Sequence, residues 1–106
     1  MLPMLCAACL FVAQAPPAIS AEAVGEAYYF FLRGQTLERR GDIKGAIEAL
    51  TKAIQAAPKV AEIRAELAGL YAREGRAVDA VREAEAALDL EPGNREAHRI
   101  LGFVQA

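Results

Sequence analysis

Few side chains of this sequence could do chemistry, and none has the partners that a catalytic or metal site needs. After Ala21 the chain contains no cysteine and no serine, so Thr36 and Thr51 carry the only aliphatic hydroxyls of that part of the sequence. His98 is the only histidine, and no Asp, Glu or Cys stands at metal-ligand spacing from it. The sequence also lacks a glycine-rich phosphate loop. We therefore predict no enzymatic activity, no metal and no cofactor, with His98 as a partly exposed packing residue.

Cys6 and Cys9 stand at Cys-x-x-Cys spacing within an apolar leader. A structural metal site would need a second pair of ligands, and a redox motif would need a strand and a helix around it. A lipoprotein signal would need a leucine nearer to Cys9 than Leu5. The spacing therefore predicts neither a metal site nor a redox site, and lipid anchoring is the weaker alternative for the leader.

The first 21 residues carry no charge, and residues 2–13 form an apolar stretch of the length of a signal-peptide core. Small residues follow, and the Ala18-Ile19-Ser20 segment predicts cleavage before Ala21. We predict a signal peptide at residues 1–20 and export to the periplasm or cell envelope of a bacterium. Since no lysine or arginine precedes the apolar core, a cytoplasmic protein stays an alternative. The stretch is too short to span a membrane.

The charges of the chain are balanced, with 12 basic and 14 acidic residues and a net charge of −2. Nucleic-acid binding depends on neutralising many phosphates, so this balance argues against a nucleic-acid partner. We interpret the acidic stretch of Glu83, Glu85, Asp89 and Glu91 as the solvated face of a helix.

The remaining sequence matches itself at an offset of 34 residues, and its pattern predicts helices at residues 26–40, 43–57, 61–74, 77–90 and 95–106. The matching positions are small, turn or apolar: Gly41 with Gly75, Ala46 with Ala80, Ala53 with Ala87, and Pro58 with Pro92. Gly41 suits the left-handed residue that closes a helix, while Asp42 and Asn94 suit helix N-caps. Each repeat is therefore predicted to be a pair of helices.

These residues resemble the tetratricopeptide repeat family. The first unit carries Phe30, Gly34, Leu37, Ala46, Leu50, Ala53 and Pro58, and the second carries Leu67, Ala68, Tyr71, Ala80, Ala87 and Pro92. The units depart from the family pattern at Arg33, Arg64 and Ala84. The resemblance implies an all-α fold, a right-handed solenoid of antiparallel helix pairs over residues 21–106. Its repeats would cover about 27–60 and 61–94, with 95–106 as a partial third repeat or capping helix.

The resemblance further implies a concave groove that holds a peptide or protein partner. Its predicted residues are Tyr28, Phe31, Gln35, Arg39, Glu62, Ala65, Gly69, Ala72, Arg73, Arg99 and Phe103, arranged as an apolar floor with an arginine rim. The alternative for Tyr28 and Phe31 is packing at the end of the first helix or against the leader. Some family members clamp a terminal carboxylate with Lys and Asn. The corresponding positions here hold Phe31, Gln35, Glu66, Glu96 and Ile100, so this specialised function is not expected.

Two other roles stay open at the C-terminal helix. Ile100, Leu101, Phe103 and Val104 give it an apolar character that would suit self-assembly of the chain into an oligomer. The chain would otherwise be the repeat portion of a larger enzyme or assembly protein that continues past Ala106.

Overall fold

A computed structural model describes residues 19–106, which form five α-helices and no strand. The helices are α1 (Ala21–Arg39), α2 (Ile43–Ala56), α3 (Ala61–Arg73), α4 (Ala77–Leu90) and α5 (Arg95–Val104). The predicted helical repeat is confirmed, while its right-handed course stays a prediction. Most of the predicted signal peptide, with Cys6 and Cys9, lies outside the described residues. The first helix begins at Ala21 rather than at residue 26, because the Ser20 hydroxyl accepts the Ala23 amide and caps it there.

The two hairpins turn at glycines in the left-handed region, with φ of 83° at Gly41 and 74° at Gly75. In each turn the amide three residues beyond the end of the helix donates to a carbonyl of its last turn, from Asp42 to Leu37 and from Arg76 to Tyr71. A side chain at either glycine would disfavour this backbone conformation. The prediction for Gly41 is therefore confirmed, and the same device closes both hairpins.

Side-chain caps begin the second and fifth helices, as predicted. The Asp42 carboxylate accepts the Gly45 amide, and the Asn94 side-chain oxygen accepts the Ala97 amide, each at 2.9 Å. These bonds satisfy amides that have no partner within the helix, so they fix where each helix starts.

Alanines make up most of the buried core, and at one pair of positions the residue sizes are matched within each repeat. In the first repeat, a Cβ placed on Gly34 would lie 2.9 Å from Cδ2 of the fully buried Leu50. The equivalent positions of the second repeat, Ala68 and Ala84, are both fully buried alanines. The first repeat thus combines a glycine with a leucine where the second uses two alanines, and both keep the helices close.

The expectation that Glu83 faces solvent is wrong, since it is only 9% exposed. Its carboxylate lies 3.1 Å from the Arg64 guanidinium, and this charge pairing allows the carboxylate to be buried on α4. Arg64 also donates through Nε to the Pro58 carbonyl at 3.1 Å. His98, 34 residues later, likewise bonds through Nε2 to the Pro92 carbonyl at 2.8 Å. Both side chains therefore tie a first helix to the proline turn before it.

Candidate functional site

A groove of about 720 Å³ runs over α3 between α5 and the end of α1. α3 contributes most of its wall, and α3 packs directly against α5. Its lining residues are Glu38, Glu62, Ala65, Glu66, Gly69, Leu70, Ala72, Arg73, Asn94, Glu96, Arg99, Ile100 and Phe103. The groove is therefore built by the first helices of the successive repeats.

The floor of the groove is open because its residues are small where α3 approaches α5. Ala65 is buried, and a Cβ placed on Gly69 would lie 3.6 Å from Cδ1 of Ile100, an ordinary contact distance. Phe103, 70% exposed, stands at the edge as a large apolar surface. A side chain larger than alanine at Gly69 would extend into the groove, so this glycine keeps it open.

The charges of the groove are arranged in two ion pairs and two carboxylates. The Arg73 guanidinium lies 3.3 Å from Glu38, and the Arg99 Nε donates to Glu96 at 2.9 Å. Within residues 19–106, neither Glu62 nor Glu66 forms an ion pair. The arginines of the groove are thus neutralised by neighbours, whereas two of its glutamates are not.

Glu66 lies at the centre of these charges and is half-buried. Burial raises the pKa of its carboxyl, and the negative charges of Glu38, Glu62 and Glu96 raise it further. A hydrogen bond from the Gln35 amide, 3.3 Å away, acts in the opposite direction by lowering the pKa. The net pKa is raised from the ordinary value, because desolvation is the largest of these effects.

A smaller apolar depression of about 290 Å³ lies beside the groove, at the N-terminal end of the repeats. Its lining comes from α1 and the residue before Ser20, the segment between α2 and α3, and the start of α3: Ile19, Val24, Ala27, Tyr28, Phe31, Ala57, Val60, Glu62 and Ile63. Tyr28 is 63% exposed, so its ring is open to a partner. Glu62 lines both the groove and this depression, which makes the two surfaces neighbours.

The structure divides the sequence-predicted site residues into three sets. One set lines the groove: Glu62, Ala65, Gly69, Ala72, Arg73, Arg99 and Phe103. Tyr28 and Phe31 line the apolar depression instead. Gln35 bonds to Glu66, and Arg39 is exposed but lines neither surface.

Sequence reasoning missed the acidic character of the groove. Glu38 lies in the position next to the predicted Arg39, and it binds the predicted Arg73. Glu66 and Glu96 stand at positions where a carboxylate clamp would have Lys or Asn, and this departure was the signal in the sequence for an acidic groove. The predicted arginine rim is accordingly offset by glutamates in the same groove.

The described residues hold no cluster of three or more potential metal ligands. None of the five helices is both long and apolar enough to cross a lipid bilayer. The groove thus combines an apolar floor, paired arginines and two carboxylates that form no ion pair within residues 19–106. Such a surface is suited to holding an extended chain by apolar contact and charge.

Comparison with protein families gives a match to the tetratricopeptide repeat model over residues 37–104. Comparison with curated proteins gives no match. The family match covers all five helices in part or whole, including the three that build the groove.

Proposed function

We propose that the chain, which belongs to the tetratricopeptide repeat family, is a non-catalytic binding module. Members of this family generally mediate contacts between proteins. Its ligand is a peptide segment or a partner protein held in the groove over α3. The family is typically a scaffold rather than an enzyme, which agrees with the lack of a nucleophile–base arrangement in the sequence after Ala21.

One observation carries this proposal, the continuous groove on the first helices of the repeats. Its floor combines Ala65, Gly69 and Ile100, and Phe103 adds an exposed aromatic edge. Exposed apolar surface that is rimmed by charged residues is typical of protein interaction sites. The adjacent depression with Tyr28 extends the same surface towards α1.

Blocking the groove with a larger side chain tests the proposal. Gly69→Leu places a side chain into the groove, whereas Gly25→Leu places the same side chain on α1 where a Cβ has open space. Both variants and the wild type are used to capture partners from the native cell, after circular dichroism has shown equal helicity. We expect a specific partner to bind the wild type and Gly25→Leu, and to be lost with Gly69→Leu. Equal capture by all three chains would show that the groove is not the binding surface.

We further propose that the protein is exported to the cell envelope, on the support of the uncharged apolar stretch at residues 2–13. Fractionation of cells that express the full chain, with mass spectrometry of the N-terminus, tests this proposal. We expect a chain that begins at Ala21 in the envelope fraction, and an uncleaved chain when Leu10→Arg places a charge in the apolar stretch. An intact N-terminus in the cytoplasm of wild-type cells would contradict export.

A further inference from the structure

The groove carries an excess of negative charge, and this excess can be assigned to particular residues. The lining contains four glutamates and two arginines, an excess of two negative charges that equals the formal net charge of the whole chain. Since Arg73 and Arg99 are already bound to Glu38 and Glu96, the excess lies at Glu62 and Glu66 on α3. A ligand that enters the groove therefore meets two carboxylates without an ion-pair partner among the described residues, whereas both guanidinium groups are already paired.

Glu62 and Glu66 are one helical turn apart, so their side chains lie on the same face of α3. Gly69 continues this face, and Glu96 reaches over it, with Oε1 3.9 Å from the position of a Cβ on that glycine. Glu62 also borders the apolar depression of Tyr28 and Phe31. Carboxylates and aromatic rings therefore lie side by side along one continuous surface.

The position of Glu66 works against the stability of the isolated chain. Its carboxylate is half-buried, beside Glu38, Glu62 and Glu96, and the bond from Gln35 does not offset these effects, since its pKa is raised. A cation placed between Glu62 and Glu66 would replace lost water contacts and relieve the repulsion among the four carboxylates. The groove thus lacks positive charge beside Glu62 and Glu66, and a positively charged ligand would supply it.

From the shape of the groove and this charge complementarity, we propose that its occupant is a basic, apolar peptide segment. An Arg or Lys side chain of the segment binds Glu62 and Glu66, and a neighbouring apolar side chain contacts Tyr28 and Phe31. The inference rests on the proposed function and specifies the chemistry of its ligand.

Three labelled probe peptides test the inference against the full chain by fluorescence anisotropy at low ionic strength. One alternates arginine with leucine, the second replaces each arginine by glutamate, and the third replaces each leucine by serine. We expect the arginine–leucine peptide to bind most tightly, the arginine–serine peptide to bind more weakly, and the glutamate–leucine peptide not to bind. Added salt should weaken the binding, because charges in a groove open to solvent are screened.

Variants with equal change of charge locate the site. Glu62→Gln/Glu66→Gln should weaken the binding of the arginine–leucine peptide by about tenfold or more, since it removes two charge-assisted contacts. Glu26→Gln/Glu85→Gln removes the same charge from exposed positions outside the groove and should leave the affinity within about twofold of the wild type. Gly69→Leu should abolish binding.

Three results would overturn the inference: no binding of the arginine–leucine peptide, equal or tighter binding of the glutamate–leucine peptide, or an unchanged affinity in Glu62→Gln/Glu66→Gln. The proposed function is judged separately, on the native partner. If a partner no longer binds Gly69→Leu but binds Glu62→Gln/Glu66→Gln with unchanged affinity, the groove is the binding site and the inference of a basic ligand is refuted. A partner that still binds Gly69→Leu would refute both.

Discussion

The Arg64 guanidinium and the Glu83 carboxylate, 3.1 Å apart, join α3 to α4 inside the second repeat. Their side chains are only 22% and 12% exposed, so the pair lies in an environment of restricted solvent. The equivalent residues of the first repeat are Phe30 and Ala49, an aromatic ring and a buried alanine. The two repeats therefore fill one place in the fold by a charged pair and by an apolar pair.

Arg64→Phe should lower the free energy of unfolding by about 2 kcal/mol, because it leaves the Glu83 carboxylate without its close cation. Only Arg82 remains nearby, with Nε 3.7 Å from that carboxylate. The double variant Arg64→Phe/Glu83→Ala reproduces the residues of the first repeat and should recover most of the loss. Urea unfolding of the three chains measures both differences. A double variant as unstable as the single one would show that the two sites are not interchangeable.

Gly34→Ala should destabilise the protein by about 1 kcal/mol or more, although alanine favours a helix over glycine. The reason is the contact of 2.9 Å that the new Cβ would make with buried Leu50. Gly25→Ala is the matched control, since a Cβ there has open space. It should stabilise the protein by about 0.5–1 kcal/mol. Thermal unfolding that shifts both variants in the same direction would contradict the close packing at Gly34.

Glu66→Gln should stabilise the protein at pH 7. Because the pKa of Glu66 in the folded state lies above its ordinary value of 4.5, the folded chain binds more protons than the unfolded chain between the two values. The carboxylate therefore disfavours folding at neutral pH, and this effect disappears as the pH falls through the raised pKa towards 4.5. The gain in melting temperature of Glu66→Gln should accordingly be largest at pH 7 and smallest at pH 4.

Glu26→Gln, an exposed change on α1, is the control for this pH series. If Glu66→Gln lowered the melting temperature at pH 7, the glutamate would be a stabilising residue, and the cost assigned to its position would be wrong.

Asp42→Ala should lower the free energy of unfolding by about 1 kcal/mol, because the Gly45 amide loses its acceptor at the start of α2. Asp42→Asn keeps an acceptor oxygen and should remain within a few tenths of a kcal/mol of the wild type. Chemical denaturation at neutral pH compares the two variants. Equal losses in both would indicate that charge, rather than the cap, is what Asp42 contributes.

The helices could be predicted from the sequence because their ends carry local signals. Gly41, Gly75, Asp42 and Asn94 act within a few residues of their own positions, so the repeat pattern located α2 to α5 to within two residues. The first helix starts earlier than the sequence predicts, because Ser20, the last residue of the predicted signal peptide, is its N-cap.

The pairs between helices could not be predicted in this way. Arg64 with Glu83, Arg73 with Glu38 and Gln35 with Glu66 join different helices. Which of two neighbouring residues faces the partner depends on the rotation of each helix, and a period of 3.6 residues leaves that rotation uncertain at the edge of a face. The family resemblance implied Arg39 for the rim, whereas Glu38, the residue before it, lines the groove.

Residue sizes in the core restrict where recombination within the gene would preserve packing. The first repeat pairs Gly34 with Leu50, whereas the second pairs Ala68 with Ala84. Exchange of a whole repeat keeps each matched pair together. A crossover at the Gly41 turn would instead put α1 against α4, with glycine opposite alanine and an empty space between them. The complementary product would put α3 against α2, where the Ala68 methyl would overlap Leu50. Recombination should therefore favour breakpoints at the proline turns between repeats over breakpoints within a hairpin.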